Sequence, residues 1–180
     1  MIVTERLRLP SWEQSHRSPA ALMNADPDVM HWFPATMSQA ETDAQIDRQI
    51  VMLARRGFTF WPVIRRSDTR FLGIAGLKDG APGTPVEGVI EIGWRFAAHA
   101  WGQGYATEAA RAALAHGFAD AAVPRIGAIT AAGNTASWRL MERLGMSRDP
   151  ASDFAHPLVP PGHRACQHVS YFIDRGGWQV

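Results

Sequence analysis

The chain has 180 residues, of which 46% are hydrophobic and 19% charged, and its formal net charge is +1. This length and balance are typical of one soluble globular domain, and the near-zero charge gives no electrostatic footprint for nucleic acid or an anionic membrane. A single cysteine, Cys166, excludes an internal disulfide and fits a reducing compartment, and no apolar run approaches membrane-spanning length, so we expect one cytoplasmic domain over residues 1–180.

The N-terminal part carries signals for one strand and two helices. Leu7 and Leu9 alternate with arginines, which predicts a short half-buried strand. A short helix is predicted within Pro19–Val29. A longer helix is predicted over Ser38–Arg56, which begins with a capping box and ends at Gly57. Three apolar residues of the longer helix are expected on one face: Ile46, Ile50 and Leu53.

The next segment is predicted to form a β-hairpin followed by a central strand. Phe58–Ile64 and Phe71–Leu77 are two apolar runs joined by a polar turn, which is typical of a β-hairpin. Gly80–Gly88 is rich in glycine and proline and predicts a loop. Val89–Phe96 is almost continuously apolar, which indicates a strand in the middle of a sheet.

Strands alternate with helices in the second half. A glycine-bearing turn, Trp101–Ala106, precedes an alanine-rich helix with Ala110, Leu114 and Phe118 on one stripe. We then predict a strand, a helix with Asn134 as its N-cap, a loop and a last strand, at Arg125–Ala131, Thr135–Leu144, Pro150–Gly162 and Gln167–Ile173. Because the first half looks antiparallel, the whole chain predicts one mixed α/β domain.

The turn at Trp101–Ala106 has the properties of an anion site. A strand that passes through glycines into a helix exposes unpaired backbone N–H groups and the positive end of the helix dipole. A dinucleotide fingerprint needs a third glycine where Thr107 stands, and a P-loop needs a lysine, but the only lysine is Lys78. We therefore expect a phosphate-bearing ligand of another class.

Four further motifs give the turn a context. The strand before it ends in EIGW at residues 91–94, and the helix after it begins with YATEA at 105–109. Asn134 and Ser137 open a later helix that runs into RLGM at 143–146. In combination these closely resemble the Gcn5-related N-acetyltransferase (GNAT) superfamily, in its ribosomal-protein-acetyltransferase-like (RimJ/RimL-type) branch. TERLRL, FLGIAGL and HVSYF, at residues 4–9, 71–77 and 168–172, extend the resemblance over nearly the whole chain.

The resemblance implies a GNAT fold, a mixed and mostly antiparallel splayed sheet flanked by helices, and a site for acetyl-coenzyme A. The family's pyrophosphate loop, Q/R-x-x-G-x-G/A, maps onto Trp101–Ala106, with Trp101 in place of the leading Q/R. The splayed strand would bond the pantetheine arm and polarise the thioester carbonyl through its backbone. The coenzyme-binding residues so implied are Trp94, Arg95, Phe96, Trp101, Gly102, Gln103, Gly104, Tyr105, Ala106, Thr107, Asn134, Ser137 and Arg143.

Two of these residues have a second interpretation. Asn134 would reach the pantetheine amide, but it could equally serve as a plain N-cap, and both roles can coexist. Arg143 could reach the coenzyme's phosphates or could be a solvated cation at a helix end.

The implied reaction is direct attack of an amine on acetyl-coenzyme A, so a base must first deprotonate the ammonium. Glu91 is the candidate base, through water, although it could instead fix local structure. Many family members place a tyrosine acid seven residues after the asparagine, and here that position is Met141. Ser137 is a weak substitute and Tyr171 a remote one, or the thiolate leaves unassisted.

Three histidines and three aromatic residues are candidates for a metal site or for the acceptor pocket. His156, His163 and His168 have a spacing that fits no common zinc pattern, so we expect no metal, although one of them could line the acceptor pocket. Trp32, Phe33 and Trp61 could form a wall of that pocket or belong to the core.

These features predict an N-acetyltransferase that acts on a primary amine, either a protein N-terminus or a small molecule. The alternative is a non-catalytic acyl-coenzyme A-binding module, suggested by Met141 in the tyrosine position. We expect no nucleic acid or membrane partner. A homodimer is implied as an option, because dimers are common among similar proteins.

Overall fold

The computed structural model describes residues 1–178, so positions 179 and 180 of the expected domain lie outside it. The described residues form four α-helices: α1 (Arg17–Ala25), α2 (Gln39–Arg56), α3 (Tyr105–Ala119) and α4 (Thr135–Arg143). Nine strands accompany them in this part of the chain: β1 (Ile2–Val3), β2 (Leu7–Leu9), β3 (Phe60–Arg65), β4 (Phe71–Asp79), β5 (Ile90–Phe96), β6 (Arg125–Ala131), β7 (Ser147–Arg148), β8 (Phe154–Ala155) and β9 (Gln167–Asp174).

All nine strands belong to one sheet. Its order is β1-β2-β3-β4-β5-β6-β9-β7, and β8 also pairs with β9. Every pairing is antiparallel except that of β5 with β6, which the crossover through α3 makes parallel. The prediction of a mixed, mostly antiparallel sheet is confirmed.

The sheet opens between its two parallel strands. β5 pairs with β4 along its whole length, from Ile90 to Phe96. With β6 it pairs only at Ile90 and Glu91, although β6 continues to Ala131. Beyond this point the two strands diverge, so the splayed sheet that the sequence predicted is present.

Helices cover both faces of the sheet. On one face α3 packs its stripe of Ala110, Leu114 and Phe118 into the main core. Gly117 allows a close approach there, since an added Cβ would lie 2.8 Å from a methyl group of Leu77. On the other face α1 and α2 cover Ile74 and its neighbours in a second apolar cluster.

Helix α2 differs from its predicted pattern on its buried face. Its ends are as expected, with the Ser38 capping box and Gly57 in the left-handed region at φ 74°. Ile50, however, is 43% exposed. The helix instead turns Thr42, Ile46 and Gln49 inward, and Gln49 Oε1 accepts a hydrogen bond from the buried Thr59 hydroxyl at 2.8 Å. No helix in residues 1–178 is both long and apolar enough to cross a membrane.

Candidate active site

The glycine turn leads directly into the N-terminus of α3. Gly102 and Gly104 have φ angles of 71° and 78°, a region in which a side chain is strained. Gly104 is the N-cap residue and provides no side-chain acceptor. The helical hydrogen bonds begin at Glu108, whose N–H donates to Gly104 O at 3.1 Å. The N–H groups of residues 105–107 therefore have no acceptor within the helix and are free to bind an anion.

Several side chains of this turn hold its shape. Trp101 is 51% exposed, and its Nε1 donates to Phe96 O at 2.8 Å. Gln103 Nε2 donates to His99 O, also at 2.8 Å. The Tyr105 ring is buried in the core, so this residue can offer an anion only its backbone N–H.

A clamp of Thr4, Arg6 and Glu108 fixes the turn to the N-terminal segment. Arg6 Nη1 donates to Gln103 O at 3.0 Å, and Arg6 Nε donates to Glu108 Oε2 at 2.7 Å. The Thr4 hydroxyl donates to Glu108 Oε1 at 2.6 Å. Burial raises the pKa of Glu108, but these hydrogen bonds outweigh it and leave the pKa below its usual value. Sequence reasoning missed this clamp, although the TERLRL and YATEA motifs contain all three of its residues.

Strand β5 presents two residues to the opening beside β6. Ala97 N–H donates to Leu72 O at 2.9 Å, which places the odd-numbered residues of this strand in hydrogen-bonded pairs with β4. The backbone N–H and C=O of Arg95 therefore belong to that ladder. Those of Trp94 and the N–H of Phe96 point toward β6, where the sheet is open, whereas Phe96 O already accepts from Trp101 Nε1. Of the three β5 residues predicted to contact pantetheine, only Trp94 and Phe96 therefore have backbone groups that face the opening.

A cavity of about 320 Å³ lies where β5 and β6 diverge. It extends from β5 across to the N-terminus of α4, which begins just after β6. Five of the residues predicted to form the site line it: Glu91, Trp94, Arg95, Asn134 and Ser137.

Asn134 connects the end of β6 with the start of α4. Its side-chain oxygen accepts from Ser137 N–H at 3.4 Å, so it is an N-cap. Its Nδ2 donates to Thr130 Oγ1 and to Ser137 Oγ, both at 3.1 Å. Because the Ser137 oxygen is the acceptor in this contact, its own hydroxyl proton remains available to a ligand.

Glu91 is the buried acid of the cavity. It is 6% exposed, and its Oε2 lies 3.0 Å from Lys78 Nζ on the neighbouring strand. Lys78 and Glu91 are directly opposite each other in the β4–β5 ladder. Burial raises the pKa of Glu91 above its usual value, and the charge of Lys78 only partly opposes this.

A model of the GNAT acetyltransferase domain matches residues 6–147 of this chain. The chain belongs to the GNAT acetyltransferase family. The uncharacterized N-acetyltransferase YnaD of Bacillus subtilis strain 168 is 28% identical over 179 residues, which cover 98% of each chain. A crystal structure of a GNAT-family acetyltransferase from Bacillus anthracis is 27% identical, with a TM-score of 0.80, and the match covers 97% of this chain and 98% of that one.

The fold is also that of RimL-type enzymes. RimL, a ribosomal L7/L12 α-N-protein acetyltransferase solved in complex with coenzyme A, matches with a TM-score of 0.74. The match covers 96% of each chain at 17% identity, so this likeness concerns the fold.

Two of the three clustered histidines line the cavity of this GNAT enzyme. The rings of His156 and His168 have centroids 4.8 Å apart, and burial lowers the pKa of both. His163 turns away, with its Nδ1 accepting from Ala165 N–H at 3.1 Å. In residues 1–178 no three His, Cys, Asp or Glu side chains are grouped so that they could hold a metal ion.

Only one of the three aromatic candidates reaches the cavity. Phe33 lines it, on the side of α2. Trp61 is 2% exposed and lies in the core. Trp32 packs so closely over Gly133 that an added Cβ there would lie 2.4 Å from its ring. The core interpretation therefore holds for Trp61 and largely for Trp32.

The position of the family tyrosine is apolar here, as the sequence shows. Met141 is buried and lines the cavity. Tyr171 is engaged elsewhere, since its hydroxyl donates to Glu142 Oε1 at 3.4 Å. Arg143 is exposed in the last turn of α4, and the choice between its two predicted roles stays a prediction.

Proposed function

We propose that this acetyltransferase transfers an acetyl group from acetyl-coenzyme A to a primary amine, which belongs either to a protein N-terminus or to a small molecule. The observation that carries the proposal is the uncapped N-terminus of α3, entered through Gly102 and Gly104 beside the opening of the sheet. This combination offers a phosphate cradle and a free strand edge side by side.

The residues present fit the coenzyme. Backbone N–H groups of residues 102–107 would receive its pyrophosphate, and Trp101 and Gln103 would keep the turn in shape. Trp94 and Phe96 would meet the pantetheine arm with their backbone, and Asn134 would close the arm from the α4 side. The bound coenzyme supplies an activated acetyl thioester, with a backbone N–H of β5 as the oxyanion donor.

Glu91 is the proposed base. An ammonium must lose a proton before it can attack, which is demanding for a lysine amine of pKa ~10.4 and milder for an α-amine near ~8. A raised pKa suits this role, because the carboxylate then binds a proton more readily than an exposed acid does. His168, with its partner His156, is the second candidate, because it lines the same cavity and burial keeps its ring neutral at pH 7.

Ser137 is the proposed proton donor to the departing thiolate. Its oxygen already accepts from Asn134 Nδ2, which leaves its proton directed elsewhere. Met141 has no proton to give. The alternative is that the thiolate leaves unassisted.

The direct test is a thiol-release assay with acetyl-coenzyme A and a panel of amines, run beside thermal unfolding with the same coenzyme. We expect stabilisation by the coenzyme and release with at least one class of amine. Stabilisation without release would favour the non-catalytic module. Stabilisation by NAD and not by acetyl-coenzyme A would contradict both.

We propose an amine acceptor as the partner molecule, without nucleic acid or membrane, in the cytoplasm, with a homodimer as the possible assembly. Light scattering of the purified chain measures the assembly directly.

A further inference from the structure

Arg95 is a largely buried cation beside the cavity. Its Nη1 donates to Asn24 Oδ1 at 2.6 Å. Its guanidinium carbon lies 4.1 Å from the centroid of the Phe33 ring. Asn24 is itself held in place, because its Nδ2 donates to Thr42 Oγ1 on α2 at 3.1 Å. The guanidinium is therefore clamped in position by neutral groups.

No anion of the described chain balances this charge. Among residues 1–178, no carboxylate lies within 4.0 Å of Arg95, and its buried Nε has no hydrogen-bond acceptor. Burial lowers the pKa of this guanidinium to about 10, so it stays charged at neutral pH. Buried charges in proteins are normally paired, because an unpaired one loses its hydration without compensation.

The other cation of the cavity has its partner already. Lys78 Nζ lies 3.0 Å from Glu91 Oε2, so this ammonium has a carboxyl group beside it. His156 and His168 also line the cavity, and because burial lowers the pKa of both, neither carries a charge at neutral pH. Among the described residues, Arg95 is therefore the cation of this cavity that has no carboxyl group beside it.

The position of Arg95 also separates it from the phosphate cradle. Side chains alternate between the faces of a strand. Phe96 packs into the core with α3, whereas Ile74, opposite Arg95 in the ladder, packs with α1 and α2. Arg95 thus lies on the α1–α2 face, while α3, which carries the glycine turn, covers the opposite face.

We propose that Arg95 binds a carboxylate of the acceptor, so that the substrate is an amine that carries an acidic group in the same molecule. This rests on the proposed acetyl transfer. Arg95 is then a specificity-determining residue: Asn24 and Phe33 hold it, and a carboxylate accepts from its remaining N–H donors. A free amino acid and a peptide with an acidic residue after its N-terminus offer the same chemistry.

Matched acceptors test this inference in two arms. One compares β-alanine with its amide, and the other compares C-terminally amidated peptides that begin Ser-Asp or Ser-Asn. The wild type should prefer the carboxylate of at least one pair by about tenfold or more in kcat/KM, because a charge-assisted hydrogen bond is lost with the amide. The arm that shows the preference identifies the source of the carboxylate.

Arg95→Met should reduce that preference to near unity, and Arg95→Lys should retain part of it. Arg48→Met, which removes an exposed arginine of α2, is the matched control and should keep the wild-type ratio. Because each ratio is measured within one protein, a change in the amount of folded enzyme cancels.

Three results would overturn the inference: equal use of acid and amide in both arms, a preference that survives in Arg95→Met, or loss of coenzyme-induced stabilisation in that variant. If no amine at all is acetylated, the proposed function fails separately. The unfolding temperature is then measured with the N-acetylated acid and with its amide. A larger rise with the acid that is lost in Arg95→Met supports the carboxylate site, whereas equal rises reject it.

Discussion

Glu91 is the residue in which a structural contact and the proposed role of base meet. Its pairing with Lys78 follows from the β4–β5 register, which sets the two residues opposite each other. Burial acts more strongly than this pairing, since the pKa of Glu91 is raised overall. A carboxyl group that holds its proton more tightly than usual and lines the cavity suits a general base.

Replacing this acid tests its role. Glu91→Gln keeps the shape of the side chain but cannot accept a proton, so we expect kcat to fall by about 100-fold or more. The KM for acetyl-coenzyme A should change little, because the proposed contacts to the coenzyme come mainly from backbone groups of the turn and of β5. Steady-state thiol release measures both.

The matched control is Asp79→Asn on the same hairpin. Asp79 is exposed and pairs with Arg56 Nη2 at 2.8 Å, away from the cavity, so its loss should leave the rate near wild type. Wild-type kinetics in Glu91→Gln would remove Glu91 as the base and make His168 the next residue to replace.

At the scale of elements, the glycine turn and α3 act as one unit. The turn supplies backbone N–H groups, the helix supplies the positive end of its dipole, and the clamp of Thr4, Arg6 and Glu108 ties both to the edge of the sheet. An anion bound here therefore contacts a preformed surface.

Gly104→Ala should separate the stability of this unit from its binding. An alanine at φ 78° costs about 1–2 kcal/mol of folding free energy, and its Cβ would lie 3.4 Å from Arg6 Nη2, so it would press on the clamp that holds the turn. We expect the affinity for acetyl-coenzyme A to fall by about tenfold. Calorimetric titration with the coenzyme measures it.

Gly162→Ala serves as the comparison. Gly162 has φ 83° and no atom within 4 Å of an added Cβ, so the backbone strain is similar but the site is untouched. If both variants bound the coenzyme equally well, the turn would not be the phosphate cradle.

Local patterns made most elements predictable. The capping box, the C-terminal glycine and the alanine stripe each depend on neighbours in sequence, and they predicted α2 and α3 correctly. The buried face of α2 was wrong at Ile50 because its inward residues, Thr42 and Gln49, are polar and satisfied by distant partners. Apolar periodicity carries no signal for such contacts.

The site residues also divide into those that local motifs reveal and those that only tertiary contacts bring together. The loop and Asn134 stand in recognisable motifs, and the structure brings Asn134, Ser137 and Glu91 to one cavity. The pairing of Arg6 with Glu108 and of Arg95 with Asn24 joins residues far apart in sequence. Register and helix docking determine these contacts, and neither can be read from local spacing.

At the scale of the whole molecule, the titratable groups buried in the cavity make the free energy of unfolding depend on pH. Burial lowers the pKa of His156 and His168 from the usual 6.5. For a base whose pKa is lower in the folded state, the unfolded chain binds more protons over that range. The contribution of the two neutral rings to the free energy of unfolding is therefore fully present above about pH 6.5 and is lost as the pH falls.

We expect the free energy of unfolding to decrease between pH 7 and pH 5, by at most about 1.4 kcal/mol per pH unit for each ring. The double variant His156→Gln, His168→Gln should show a shallower decrease. Urea unfolding at several pH values measures both slopes. Parallel curves for the two proteins would show that these rings do not set the acid limit.

Lys78 has a consequence for labelling chemistry. It is the only lysine among the 180 residues, and it lies beside Glu91 in the cavity with its side chain 29% accessible. An amine-directed reagent therefore has one side chain to modify, and that side chain reports on the cavity alone. Intact-mass spectrometry of the labelled protein would read the occupancy of the cavity as one mass increment beyond that of the terminal α-amine, with no engineered tag.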